Sequence, residues 1–425
     1  MKLKSNSQPH YHILGSCGVL MAGLCQLALD AGLNISGSDM QPSPPMSDLL
    51  PQKCLYLLEQ KKYLEADYVV VGNIFRFDSP EIIEIRNKGI PLISSMEFLK
   101  LFTDNKEVIA ICGTHGKSTT TALVTWLFEV SGQQPSYLIG GQPLNFNHSA
   151  RYVKGSQYFI IEADEYDISF FDKRSKMHTL WPQYLLINTI EFDHADIFDS
   201  IEKIYQSFSY CMRRVHPKGK IFATEKLPEA LRDFKNLELV DSHHSYLKFN
   251  KADHSIQLQK KTIKADVFGP VIDNLLLALA LVNQLDLDDS HIARGLLSFK
   301  GVVRRAQFMT FKGQNFCIDF AHHPTSISLL IDSLSTRYDH RFSVLIEKAS
   351  NSMSQGVFDV QLEKLIKRHA NIKFFWMNKA EKSDQSLKSF INYCVCENLS
   401  GIILTNNPFR WSQIKCVFSM HSQVE

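Results

Sequence analysis

No stretch of this 425-residue chain holds the roughly eighteen uninterrupted apolar side chains that a membrane-spanning helix needs. Neither sign of charge is in excess. Forty-six Lys and Arg face 44 Asp and Glu, and a net charge of +2 gives no footing for nucleic acid or a membrane surface. Cysteine is present but unpatterned: the nine residues form no C-x-x-C pair and have no His partner at zinc spacing, and Cys394 and Cys396 stand too close together for one. An odd number of scattered cysteines reads as reduced thiols of a cytosolic protein. There is no low-complexity tract and no short internal repeat. What remains is an ordinary globular composition, 44% apolar and 21% charged, in a chain long enough for two to four domains.

One segment is deceptive. Residues 13–29, ILGSCGVLMAGLCQLAL, follow Lys2 and Lys4 and superficially resemble a secretory leader. Histidines and a proline separate the lysines from the run, and its glycines suit a strand, a turn and a helix. The expected location is cytoplasmic.

Short β runs alternate with helical patterns through the first hundred residues. Strands are expected at 12–14, 35–37, 68–71 and 91–93, and helices at 19–31 and 80–88, which describes an α/β unit of parallel strands. The polar break Thr103-Asp104-Asn105-Lys106-Glu107 reads as a linker. A second α/β region has strands at 108–112, 158–162 and 184–188. A third has strands at 316–319, 343–347, 373–376 and 401–404. The expected domains are 1–104, 105–297 and 298–425.

The most informative stretch is ICGTHGKSTTTALVTWLFEVSG, 111–132. An apolar run meets a glycine-bounded turn, and Ala122, Leu123, Trp126, Leu127 and Val130 then recur at helical spacing. Strand, tight loop and helix make a phosphate cradle. Gly113-Thr114-His115-Gly116-Lys117-Ser118-Thr119 ends in the Gly-Lys-Ser of a P-loop, although Ile111 stands where the first glycine of the general pattern would be. The glycines admit backbone N–H groups to phosphate oxygens, Lys117 supplies a charge, and the Ser118 hydroxyl can ligate Mg²⁺.

A carboxylate to hold that metal is expected where a neighbouring strand ends. Glu162 follows the strand 158–161 within EADEYD; Asp164 and Glu165 lie close by, and a solvated acidic loop is the competing reading. The segment NTIEFDHADIF, 188–198, brings Glu191, Asp193, His194 and Asp196 to a third strand end, where His194 can be a ligand or a base. A weaker signal is the turn Gly15-Ser16-Cys17-Gly18, which follows a strand and opens a helix, with Asp39 at the end of the next strand. It reads either as a nucleotide or diphosphate site or as a tight structural turn. In the third region Arg304-Arg305 and IDFAHHPTS, 318–326, stand out: Arg305 can reach a γ-phosphate, and Asp319 can accept from a ribose hydroxyl.

Together GTHGKST, EADEYD, EFDHAD and DFAHHPT resemble the motifs of the Mur ligases, ATP-dependent enzymes that add amino acids or peptides to UDP-N-acetylmuramate. The likeness runs from about residue 10 to 330. Within the family, FFDKRSK (170–176), PPMSDLL (44–50) and FAHHPT resemble the murein peptide ligases, which join L-Ala-γ-D-Glu-meso-diaminopimelate to that sugar nucleotide in peptidoglycan recycling. The resemblance implies an α/β, three-domain architecture: an N-terminal Rossmann-like UDP-binding domain, a central P-loop ATPase domain and a C-terminal Rossmann-like domain. It implies ATP and Mg²⁺ as cofactors, the sugar nucleotide and the tripeptide as partners, and a cytoplasmic, monomeric enzyme.

By the same resemblance Lys117 contacts the phosphates, while Ser118, Glu162 and His194 hold the metal. Asn274 meets adenine, Arg305 the γ-phosphate and Asp319 the ribose, and His322 lines the ATP site. Gly15 and Gly18, with Ser38 and Asp39, take the UDP part. The chain departs from the family in three places. Gly269-Pro270-Val271-Ile272 lacks the family's His before the adenine Asn. Ala349-Ser350-Asn351-Ser352-Met353-Ser354 lacks the Arg and Lys of the peptide ligases. Thr405-Asn406-Asn407-Pro408-Phe409 replaces a Gly-rich turn. Lost Arg and Lys leave an L-alanine ligase, or an inactive nucleotide-sugar-binding homologue, as alternatives.

Overall fold

The computed structural model describes residues 8–419 except 193–196, 242–247, 251–254, 258–261, 265–270, 338–340, 350 and 379–383. The chain divides into two compact units, one of residues 1–265 and 273–300, the other of 266–272 and 301–425.

The first unit begins with five parallel strands: β1 (His10–Leu14), β2 (Asn34–Asp39), β3 (Tyr56–Leu57), β4 (Tyr68–Val71) and β5 (Leu92–Ser94). Their order is β3-β2-β1-β4-β5. The order reverses at β1, so the turn after β1 opens onto the crevice where such sheets take their ligands. Three helices accompany the sheet: α1 (Val19–Asp30), α2 (Pro80–Asn87) and α3 (Ser95–Thr103). The last is started by a reciprocal cap, in which Ser94 Oγ accepts the Glu97 N–H and Glu97 Oε2 accepts the Ser94 N–H.

After the short turn 104–106 a second sheet begins, formed by β6 (Glu107–Cys112), β7 (Ser136–Leu138), β8 (Ala150–Arg151), β9 (Tyr158–Glu162), β10 (Tyr184–Ile187), β11 (Lys220–Thr224) and β12 (Leu237–Val240). The order is β12-β11-β10-β6-β9-β7-β8, parallel throughout except for β8. β6 lies inside the sheet with β9 on one side and β10 on the other. Its Val108 to Cys112 run is buried on both faces, as an unbroken apolar sequence requires.

Helix α4 (Lys117–Val130) leaves this strand through the 113–116 turn. Its far end is tied to the helix 289–298, where the Trp126 indole N–H is 3.1 Å from both the Gly295 carbonyl and Ser298 Oγ. Gly295 permits the approach, because a Cβ there would lie 2.7 Å from Leu127 Cδ2. One buried apolar cluster, from Leu24, Phe98 and Phe102 through Val108 and Phe159 to Ile187 and Phe208, joins the two parallel sheets. Three further strands, β13 (Lys248–Asn250), β14 (Ser255–Gln257) and β15 (Thr262–Lys264), form a small antiparallel sheet.

The second unit holds β16 (Gln307–Phe311), β17 (Gln314–Asp319), β18 (Phe342–Lys348), β19 (Lys373–Asn378) and β20 (Ser400–Leu404), in the order β16-β17-β20-β18-β19. β16 and β17 form a hairpin closed by Lys312 and Gly313, both at positive φ, as a two-residue turn of this hand demands. The other strands are parallel, and helices 324–337, 359–368, 385–396 and 408–419 connect and cover them. Among the described residues no helix is long and apolar enough to cross a membrane. All nine cysteines are free thiols.

Candidate active site

Parallel pairing brings the carboxyl ends of β6, β9 and β10 to one edge, with Ile111 opposite Glu162 and Cys112 opposite Ile187. The loop after β6 turns back at Gly113 (φ 128°) and enters α4 through Gly116 (φ 82°). Neither position has room for a side chain. A Cβ at Gly113 would meet Asn188 Cβ at 2.7 Å, and one at Gly116 would overlap Asn188 Nδ2 and Asn274 Oδ1. The backbone is thus forced open at the point where α4 presents N–H groups that have no partner within the helix.

Beneath the loop lies a buried amide frame. Asn188 Nδ2 is 3.0 Å from Thr120 Oγ1 and donates to Asn274 Oδ1 at 2.8 Å. On the other flank the Thr114 N–H donates to the Thr189 carbonyl at 2.8 Å, and Thr114 Oγ1 is 3.0 Å from the Glu191 backbone nitrogen. His115 Nε2 lies 3.4 Å from Glu191 Oε2. Thr119 is half-buried in the first turn of α4.

Lys117 is held from three directions. Its Nζ donates to the Gly113 carbonyl at 2.7 Å and to both carboxylate oxygens of Glu165, at 2.8 and 3.1 Å. Both side chains are nearly buried, 12% and 4% exposed. Burial works against the lysine's charge, but Glu165, then Asp164 and Glu162, outweigh it and hold the pKa above the ordinary lysine value. Asp164 is itself paired with Lys176 at 3.1 Å.

Glu162 stands at the tip of β9, its Oε2 accepting the Gly140 N–H at 2.8 Å. The Ser118 hydroxyl is 3.5 Å from the carbonyl of the same glycine. Ser118 and Glu162 therefore flank one backbone residue, and both offer the hard oxygen donors that Mg²⁺ prefers. His194, Asp193 and Asp196 lie outside the described residues. Asn274 sits in the fourth position of the helix Val271–Gln284, is 6% exposed, and its carbonyl oxygen accepts from Asn188.

The N-terminal turn is built on other terms. Gly15 (φ 72°) and Ser16 direct their N–H groups to the Ser38 carbonyl at 2.8 and 3.1 Å, and Gly18 directs its own to the Gly15 carbonyl at 3.0 Å. Asp39 accepts the Cys17 N–H at 3.0 Å and the Gln41 N–H at 3.1 Å. Ser38 is fully buried, its Oγ 2.8 Å from Nε2 of the equally buried His12. The other ring nitrogen, Nδ1, is 2.7 Å from Ser36 Oγ. Burial, and next the neighbouring His10, push the His12 pKa down to about 3, so the ring is neutral.

In the second unit the carboxylate of Asp319 ends β17 and accepts the Ala306 N–H at 2.6 Å and the Ala321 N–H at 2.7 Å. Burial raises its pKa, opposed chiefly by Arg305. Arg304 and Ala306 hold positive φ on either side of Arg305, a strained path that aims both arginines over the Phe320 ring, at 5.2 and 4.6 Å. The His322 Nδ1–H donates to the Phe320 carbonyl at 3.1 Å. Arg305, Asp319 and His322 are thus gathered around one turn.

Sequence reasoning passed over Asn188, Gly140 and the Glu165 contact. Asn188 opens the segment NTIEFDHADIF already singled out, whereas Gly140 follows the short strand β7, which carried no signal of its own. What made them important, the space under a glycine, is a property of the folded backbone.

This edge has counterparts in known proteins. Residues 111–282 match the Mur ligase middle domain, and 10–107 match the Mur ligase family catalytic domain. The UDP-N-acetylmuramate–L-alanyl-γ-D-glutamyl-meso-2,6-diaminoheptandioate ligase of Escherichia coli (strain K12) is 34% identical over 81% of this chain and 80% of its own. A murein peptide ligase of Psychrobacter arcticus superposes with a TM-score of 0.72, at 26% identity, over 96% of this chain and 98% of its own. The UDP-N-acetylmuramate–alanine ligase of Thermotoga maritima, 19% identical, shares the fold with a TM-score of 0.74 over 98% of this chain and all of its own. With two family domains matched and relatives of this extent, the chain belongs to the Mur ligase family of ATP-dependent carbon–nitrogen ligases.

Proposed function

We propose that the chain joins L-Ala-γ-D-Glu-meso-diaminopimelate to UDP-N-acetylmuramate, in the cytoplasm and as a monomer, and so returns a recovered peptide to peptidoglycan synthesis. The observation that carries this reading is Lys117 held in a glycine-walled cradle at the switch point of a parallel sheet, in a chain 34% identical to a ligase named for that reaction.

A carboxylate oxygen is a poor leaving group, so the amide is made in two steps. The lactoyl carboxylate of the sugar attacks the γ-phosphorus of ATP, breaking the bond to the β-bridging oxygen and releasing ADP. The peptide amine then attacks the acyl carbon, loses a proton, and expels phosphate through a tetrahedral intermediate. Such chemistry is mostly positioning and charge neutralisation.

In this reading Gly113 to Thr119 enclose the phosphates and Lys117 neutralises their charge. Arg305 meets the γ-phosphate, Asp319 the ribose and His322 the adjoining part of the ATP site. Asn274 acts through its bond to Asn188, beneath the cradle. Asp39 and the Gly15–Gly18 turn receive the UDP part, and Ser38 shapes that turn from below. The oxygen donors of Ser118 and Glu162 fit Mg²⁺, with His194 the third ligand. The ion would supply further neutralisation of phosphate charge.

The test is phosphate release from ATP with UDP-N-acetylmuramate and Mg²⁺, adding tripeptide, L-alanine or no amine. Tripeptide-dependent release with a new amide product is the expected result. Turnover only with L-alanine, or nucleotide binding without product, overturns it.

A further inference from the structure

An ammonium group has three hydrogens to donate, and all three of Lys117's are committed: one to the Gly113 carbonyl and two to the carboxylate of Glu165. A phosphate oxygen can reach this lysine only by displacing an acceptor. The Gly113 carbonyl is fixed by the turn, which leaves Glu165 as the group that yields. Its carboxylate has the charge, the two-oxygen fork and the contact distances of a phosphate edge.

We infer that Glu165 is an internal stand-in for the nucleotide's terminal phosphates, and that its displacement makes nucleotide binding depend on a divalent cation. The proposal rests on the reading of 113–119 as an ATP cradle. Once displaced, the Glu165 carboxylate stays in a site it shares with Glu162 and Asp164, beside a polyanion. Lys176, a further cation beside these carboxylates, is already paired with Asp164. A nucleotide arriving without a metal therefore adds negative charge to a place where a carboxylate has just given up its bonds to Lys117. A nucleotide arriving with Mg²⁺ brings the compensating charge along. Free ATP is discriminated against at the cradle itself, before any chemistry.

The contact also steadies the empty protein. A nearly buried ammonium without a counter-charge is costly, so Glu165 supports the cradle's fold until the nucleotide takes over that task. Two opposite effects of one substitution follow: a less stable empty protein, and tighter binding of metal-free nucleotide.

The experiment measures binding of ATP, by calorimetry and by the shift of the melting temperature, with excess Mg²⁺ and with a chelator. It uses the full chain and its Glu165→Gln variant, which keeps the side chain's shape and removes its charge. In the natural protein, binding should weaken strongly when Mg²⁺ is removed. In Glu165→Gln, affinity for metal-free ATP should rise about ten- to a hundredfold, the range expected of a charge-assisted contact no longer opposed. The melting temperature without nucleotide should fall, and ATP should restore more of it than in the natural protein. In a Lys117→Met background the same substitution should no longer lower the melting temperature, because the ammonium that the carboxylate neutralises is gone; a merely structural glutamate would still lower it there.

If Glu165→Gln binds metal-free ATP no better, or loses affinity for Mg²⁺-ATP as fully as Glu162→Ala does, Glu165 is not a stand-in and the inference is wrong. Failure of the natural protein to bind ATP even with Mg²⁺ would instead overturn the cradle reading, and this inference with it.

Discussion

Two glycine turns in this molecule leave central parallel strands and open helices, yet they treat charge in opposite ways. The 113–116 turn carries a buried lysine and has carboxylates gathered around it. The 15–18 turn has no cation of its own. Its N–H groups are spent on the Ser38 carbonyl, the Gly15 carbonyl and Asp39, and beneath it lie hydroxyls and a neutral imidazole. The same topology thus sets a cation among carboxylates behind one turn, and hydroxyls, a neutral imidazole and the single carboxylate of Asp39 behind the other. Position at a switch point makes a turn available to a ligand; the side chains behind it decide what kind.

The sharpest way to break that contrast is to remove the charge. Lys117→Ala should lower kcat by about a hundred- to a thousandfold, the loss typical of one electrostatic group at a transition state. Far-UV circular dichroism should stay native. Near-normal turnover would mean that the cradle is as neutral in function as the N-terminal turn.

Steric demand separates the turns next. At Gly116 an added Cβ overlaps two buried amides, whereas at Gly15 it meets only side-chain tips, Ile74 at 3.1 Å and the Phe75 ring at 3.4 Å. Both positions carry positive φ, so each Ala variant suffers backbone strain of about 1–3 kcal/mol. Gly116→Ala adds the displacement of Asn188 and Asn274, and its urea midpoint should fall clearly further than that of Gly15→Ala. Equal losses would show that only φ matters.

The neutral floor of the N-terminal turn leaves a mark in pH. His12 is held at a pKa of about 3 against an ordinary 6.5, so the unfolded chain takes up the proton first. Its contribution is intact above about pH 6.5 and drains away as pH falls toward 3, about 2 kcal/mol of it by pH 5. His12→Gln, which can still bond Ser36 and Ser38, should lose less stability than the natural protein between pH 7 and 5. A parallel decline in both would remove the neutral-imidazole account.

The smallest expected effect lies in the second unit. Ala349 is buried, 6% exposed, whereas Ser354 is exposed. Ser354→Lys should lower the tripeptide KM by up to about tenfold, through one charge-assisted contact, and leave the ATP KM unchanged. An altered ATP KM would place this position elsewhere in function.

Most strands were legible because burial on both faces writes an unbroken apolar run: 158–162 and 68–71 match residue for residue, and 108–112 needs only Glu107 added. Helix α3 was overlooked although Ser94 and Glu97 spell a capping box, since the apolar stretch before it drew attention as a strand. The short edge strands β3, β7 and β8 carry too few residues to show a period. At the candidate site the turn that carries the glycines, Lys117 and Ser118, and the place of Glu162 at a strand tip, were legible in the sequence. The grip of Glu165 on Lys117 could not, because 48 residues of chain separate them and only the pairing of β6 with β9 brings them together. The same holds for Asn188 and Asn274, 86 positions apart.

The placement of β6 has a further consequence, for the order in which the protein can be made. This strand precedes every other member of its sheet along the chain, yet it lies in the interior, between β9 and β10. During synthesis both edges of an apolar strand, and the cradle that follows it, wait unpaired until residues 158–162 and then 184–187 have left the ribosome. The five-stranded sheet before it has all its strands by residue 94 and can close first. It then offers the waiting strand an apolar face, with Phe98 and Phe102 already in the cluster that Val108 joins.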